Sequence, residues 1–134
     1  MSNTVTVGKI KLQDHPTNPD LQIGTINGHQ VVVGRHYDPD TLGFFIPEGA
    51  IVPDKLADEM WVRGRLAGKQ RNRVKTRELH GVHSEGLFYG SCYWTKQGNQ
   101  WIEVSSPSWN NNWKEGDDVA KEVGITFAEE LVEA

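Results

Sequence analysis

Short runs of alternating apolar and polar residues, broken by turn residues, dominate this chain. Val5, Val7, Ile10 and Leu12 predict an opening strand, bent or bulged at Gly8. Leu21–Ile26 and His29–Gly34 alternate at period two on either side of Asn27-Gly28. That pair predicts a hairpin, because a type I′ turn needs positive φ at both central positions. Leu42-Gly43-Phe44-Phe45-Ile46 is a continuous apolar run ended by Pro47. Pro53–Met60 reads as a short helix with proline near its first turn. Leu79 through Tyr89 reads as strand, glycine-rich turn and strand. Tyr93-Trp94 and Gln100–Val104 flank a hairpin loop over residues 95–99, and Pro107–Trp113 is an asparagine-rich loop. Near the end, Asp117 and Gly124 predict the cap and stop of one short helix. Thr126 and Glu129 have capping-box spacing for another.

These elements predict a mainly β fold. Five to six strands with a short helix between the third and fourth, and small C-terminal helices, fit a Greek-key barrel of the OB type. The expected division is a barrel domain over 1–114 and an acidic, partly helical tail over 115–134. At 134 residues the chain can bury a core without disulfide or metal staples. Fourteen glycines, six prolines and five tryptophans favour a turn-rich β protein over a helical bundle. No apolar run approaches the ~20 residues needed to span a bilayer. The single cysteine, Cys92, excludes an internal disulfide framework and points to a reducing, cytoplasmic setting.

The net charge of −4 argues against a nucleic-acid partner, but its distribution argues for one. Arg63, Arg65, Lys69, Arg71, Arg73, Lys75 and Arg77 follow one another without an acidic residue, half of the 14 lysines and arginines. From Glu115 onward the balance reverses, with seven carboxylates against Lys121. If residues 71–77 form a strand, period two puts Arg71, Arg73, Lys75 and Arg77 on one face and Asn72, Val74 and Thr76 on the other. Like charges about 7 Å apart repel one another and match a phosphate backbone. The alternative is an edge strand protected from aggregation by charge. OB barrels that bind single strands add aromatic platforms to a basic groove. Trp61, Tyr89, Tyr93, Trp94, Trp101, Trp109 and Trp113 are available, and Trp109 and Trp113 are expected to be the exposed, stacking pair.

No active site emerges from the remaining residues. His80 and His83 fall on opposite faces of an extended segment, without the further ligands that a metal needs. Cys92 lacks a partner base and reads as a buried small hydrophobe. The glycines form no phosphate-binding loop, and Asp38, Asp40 and Glu48 have no acid/base context. No cofactor is expected.

Two stretches resemble known families. His15-Pro16-Thr17-Asn18-Pro19-Asp20-Leu21, with Thr25–Gly28 and Val31–Gly34, resembles the start of tRNA-binding OB modules appended to some aminoacyl-tRNA synthetases. Leu42–Gly49 and Asn72–Phe88 resemble the N-terminal OB-like module of an RNA-ligase family that seals nicked RNA. Gly116–Thr126 resembles the stretch leading toward the ligase catalytic domain. The resemblance places Arg71, Arg73, Lys75 and Arg77 on the nucleic-acid side. It does not carry over the chemistry: these ligases are adenylated on the lysine of a Lys-x-Asp-Gly motif, and Lys114-Glu115-Gly116-Asp117 reverses that order. Glu85, where several family members carry a glutamine, also departs from the pattern.

The expectation is therefore a stand-alone, non-catalytic RNA-binding module, an accessory or specificity unit for structured, nicked or tRNA-like RNA. One rival is a piece of a split or truncated ligase acting with a catalytic partner. Another is an interaction module that has lost RNA binding.

Overall fold

A computed structural model describes residues 4–127. The fold is mainly β with one small helix, as the hydrophobic pattern predicts. Its strands are β1 (Thr6–Lys9), β2 (Lys11–Asp14), β3 (Leu21–Ile26), β4 (His29–Gly34), β5 (Leu42–Pro47), β6 (Ala50–Ile51), β7 (Arg77–Leu79), β8 (Val82–Ser84), β9 (Gly86–Gly90), β10 (Cys92–Gln97), β11 (Gln100–Ser105) and β12 (Thr126–Phe127). The helix α1 (Asp54–Glu59) lies between β6 and β7. Among the described residues these strands form five separate antiparallel sheets, rather than one run of five or six strands.

β5 is the centre. β1 pairs along one edge and β9 along the other, with Phe45 opposite both Thr6 and Phe88. Because side chains alternate across a strand, Phe44 and Ile46 enter one core while Phe45 enters a second on the opposite face. Burial on both faces explains why this segment reads as an unbroken apolar run. The larger core adds Val5, Val7, Val52, Leu56 and Val74. The smaller adds Ile10, Ile26, Val31 and Phe88.

The ladders meet in a circuit. β1 passes into β2 at Ile10, whose N–H bonds to the Thr41 carbonyl at 3.1 Å. The break in the opening strand is therefore at Ile10 and not at Gly8. Gly8 serves a different end, since a Cβ there would lie 2.4 Å from Asn27 Oδ1. β2–β3–β4 follows, with Asn27 and Gly28 at φ 52° and 82° in the predicted hairpin turn. The free edge of β4 takes Glu85 N–H on the Gln30 carbonyl at 2.8 Å and gives Val32 N–H to Ser84 Oγ at 3.0 Å. β9 then returns the chain to β5.

The expected C-terminal helices are absent from the described residues. Residues 120–124 form turns, and Thr126 begins β12, which pairs with β6. Glu129, the other half of the expected capping box, lies outside the described residues. The segment over 116–127 bonds to β1 and packs into the larger core. Val7 N–H bonds to the Asp117 carbonyl and Val119 N–H to that of Val5, both at 2.9 Å. Val119, Ala120, Ile125 and Phe127 are buried in the larger core. Acidic residues on the outside of this segment conceal its apolar inner face from a reading based on charge.

Candidate nucleic-acid interface

The basic segment is built in two parts. Residues 72–74 run antiparallel to β6, with Val52 N–H on the Asn72 carbonyl at 2.9 Å and Val74 N–H on that of Ala50 at 2.8 Å. Val74 is buried and Asn72 and Thr76 are half-buried, while Arg73, Lys75 and Arg77 are exposed. The predicted alternation thus holds over 72–77. The predicted strand does not: the regular ladder of β7 begins only at Arg77. Arg71 has φ 55° and sits in a turn. Two hydrogen bonds between Ala67 and Arg73, at 2.9 and 3.0 Å, close a five-residue loop over 68–72 that carries Lys69, Gln70 and Arg71. A groove of about 430 Å³ lies along it, lined by Ile51, Gly68, Lys69, Gln70, Asn72 and Arg73.

The seven cations differ in what they already hold. Arg63 bonds to Asp58 at 3.1 Å and to Asp54 at 3.3 Å, so its charge is matched by α1. Arg77 donates from Nη2 to the Arg65 carbonyl at 2.8 Å and ties β7 to the turn before the loop. Among the described residues, Arg65, Lys69, Arg71, Arg73 and Lys75 form no ion pair with a carboxylate. Glu48 approaches this edge but accepts the Thr76 hydroxyl at 2.7 Å. Glu85, the departure from the ligase pattern, accepts Gln30 N–H at 3.2 Å and lies 3.1 Å from His29 Nδ1. It closes the β4 edge rather than facing the groove.

Trp109 and Trp113 are not the exposed aromatics. They meet edge to face at 5.0 Å, and both pack on Phe44 in the larger core. The asparagines around them suggest a solvated loop, but the indoles turn inward to cover Phe44. The exposed indoles are Trp61 (62%) and Trp101 (56%). Trp61 meets Tyr93 edge to face at 5.4 Å. Of the others on the expected list, Trp94 is half-buried and Tyr89 is buried. Its hydroxyl donates to Glu59, and Ser108 donates to the same carboxylate at 2.7 Å, so α1 is locked to β9. Burial, then the Glu59 bond, push the Tyr89 phenol well above its ordinary range.

Two further readings resolve structurally. His15 is buried, with Nε2 donating to the Leu79 carbonyl at 3.1 Å and Nδ1 accepting Thr17 and Asn18 N–H. The His-Pro-Thr-Asn-Pro loop thereby docks on the β7–β8 hairpin. Cys92 is half-buried rather than buried, and its thiol donates to Glu103 at 3.4 Å. Partial burial and that bond push its pKa up, the reverse of nucleophile activation.

No protein-family model matches the chain, and neither does any curated protein. Solved structures do. The chain is similar to a point variant of Naegleria gruberi RNA ligase with ATP and Mn (TM-score 0.69, 16% identity, covering 94% of this chain and 35% of that one). A variant of the same ligase with AMP and Mn gives TM-score 0.70 at 17% identity, covering 94% and 35%. An apo variant gives TM-score 0.70 at 16% identity, covering 95% and 35%. The likeness is one of fold. The chain spans about a third of the length of the structures it matches.

Proposed function

We propose that this chain is an RNA-binding module of OB type that contacts the phosphate backbone through the 68–75 edge and performs no catalysis of its own. The observation that carries the reading is the hydrogen-bonded 68–72 loop with its flank. It holds Lys69, Arg71, Arg73 and Lys75 on a rigid frame while no carboxylate among the described residues neutralises them. Fixed, uncompensated cations gain most from polyanion contact, because each neutralised phosphate releases condensed counterions. The circuit of strands around β5, the fold likeness to RNA ligase, and the Asn72–Phe88 resemblance support the same reading. In it, the module presents structured or nicked RNA in a reducing compartment such as the cytoplasm.

The test is a salt titration of binding to nicked duplex, tRNA and single-stranded RNA. Affinity should fall with salt at a log–log slope of about −0.7 to −0.9 per phosphate contact. Changing Arg73 and Lys75 together to alanine should flatten it by about 1.5 and weaken binding to all sequences alike. Arg63→Ala should leave the slope nearly unchanged, because Asp54 and Asp58 already match that charge. A double variant with the wild-type slope refutes the assignment.

A second reading follows from the one-third coverage: the chain works as a part of a ligase, with adenylation supplied by a catalytic partner. Incubation with labelled ATP and magnesium should leave no lysine–AMP adduct on this chain alone. Sealing of nicked RNA only when an adenylating partner is added would favour the split arrangement.

A further inference from the structure

The five tryptophans divide cleanly by what their rings touch. Trp109 and Trp113 pack on each other and on Phe44, and Trp61 packs on Tyr93. Trp94 and Trp101 have no aromatic ring partner among the described residues, and they line one cleft. The β10–β11 register brings them together. Trp94 lies opposite Glu103, and Lys96 lies opposite Trp101, so both indoles share one face of the hairpin as diagonal neighbours.

Across the cleft lies the segment between β4 and β5. Arg35, His36, Tyr37 and Asp38 complete a space of about 240 Å³ with the two tryptophans. Its floor is fixed. Trp94 Nε1–H donates to Asp38 Oδ2 at 3.0 Å, and Trp94 N–H donates to the His36 carbonyl at 2.7 Å. His36 Nδ1 donates in turn to the Trp94 carbonyl at 3.1 Å. Trp101 stands free above this frame, more than half exposed. A held indole and a free one beside it make a site for a flat π system.

Charge separates the occupants. Arg35 is bonded to Asp14 at 2.9 Å and to the Pro19 carbonyl, and Asp38 is engaged by Trp94. None of the charged groups that line the cleft is therefore free, but Lys96, opposite Trp101 on the same face, is exposed and forms no ion pair among the described residues. Further uncompensated cations stand on the 68–75 edge. Stacking surface with its cations set outside the cleft suits one base of a strand whose backbone runs past it.

We propose that the cleft between residues 35–38 and the β10–β11 hairpin receives an unpaired base of an RNA strand, stacked on Trp101. The identity of the polymer rests on the RNA-binding reading above, and the experiment separates the two. Binding of the full chain to a 12-mer of adenylate is compared with an abasic ribose-phosphate 12-mer. Trp101→Ala should lower affinity for the adenylate strand about tenfold, the scale of one lost base–aromatic stack. It should leave the abasic strand and the salt slope unchanged, and Trp101→Phe should restore most of the loss. Trp101 is exposed, so these variants keep the fold.

In nitrogen-15 spectra, millimolar adenosine should move the indole N–H signals of Trp94 and Trp101 but not those of Trp109 and Trp113. Ribose 5-phosphate should move none. Three results would each overturn the proposal: no adenosine shift, an equal loss of affinity for the abasic strand, or a decaproline peptide moving the same signals at lower concentration than adenosine. Adenosine shifts in a chain that binds neither 12-mer would refute the RNA reading and keep the base site. An Arg73/Lys75 effect with no Trp101 effect would do the opposite.

Discussion

Trp109 and Trp113 show how one residue type serves two ends. Both cover Phe44, the aromatic at the centre of the larger core. Truncating either to alanine removes a large apolar contact and should cost about 2 to 4 kcal/mol, somewhat below or within the range for fully buried aromatics because both are half-buried. Chemical denaturation reads that loss directly. At temperatures where the variants remain folded, their RNA affinity should match the parent's, whereas Trp101→Ala should show the converse. Within the basic segment the same division falls on neighbours. Val74 is 1% exposed, so Val74→Ala should cost about 2 kcal/mol for two lost methyl groups and the void they leave. Arg73→Ala and Lys75→Ala, on the outer face, should change stability by no more than about 0.5 kcal/mol.

Elements that are too short to persist alone hold here by docking. β12 is two residues long, yet Phe127 is 2% exposed and its strand completes the far edge of β6. β6 itself is two residues long, held between β12 and residues 72–74. The C-terminal segment is thus one of the walls that positions the basic edge. Removing residues 115–134 takes away Val119, Ala120, Ile125 and Phe127 together, and the truncated chain should lose its cooperative thermal transition. Phe127→Ala alone should cost about 3 to 5 kcal/mol. If the truncated chain melted like the parent, these contacts would not be holding β6, and an acidic segment that merely screens the basic edge would be the better account.

At the scale of the molecule, alkaline pH tests the packing around the smaller core. Tyr37 packs edge to face on Phe88 at 5.1 Å, and burial pushes its phenol from 10.0 up to about 12, only partly offset by a backbone bond at Gly90. Below pH 10 both folded and unfolded chains keep this proton, so its contribution to stability is complete. Between about pH 10 and 12 the unfolded chain ionises while the folded chain does not, and stability falls. Two units correspond to about 2 to 3 kcal/mol, lost by the time pH passes through the folded value. Denaturation midpoints measured between pH 8 and 12 should show this decline, and Tyr37→Phe should make it shallower. Tyr89, shifted upward in the same direction, adds to the loss at the alkaline end.

Local patterns were legible in the sequence wherever a single strand or turn decided them. The Asn27-Gly28 hairpin, the buried β5 run, the helix after Pro53 and the inward–outward alternation of 72–77 all follow from period two and turn chemistry. Their causes lie within a few residues. Contacts between distant segments were not legible. Nothing local shows that an acidic C-terminal stretch inserts four apolar side chains into the larger core, or that indoles among asparagines turn toward Phe44. The β10–β11 turn is tighter than the polar run over 95–99 suggests, because β10 continues to Gln97, paired with Gln100. That longer ladder puts Trp94 and Trp101 diagonal on one face. Period two alone puts the cations of 72–77 on an outer face and the apolar residue between them on an inner one. Which cations stay uncompensated and which indoles stay free follows only from the assembled fold, because both depend on partners brought from elsewhere in the chain.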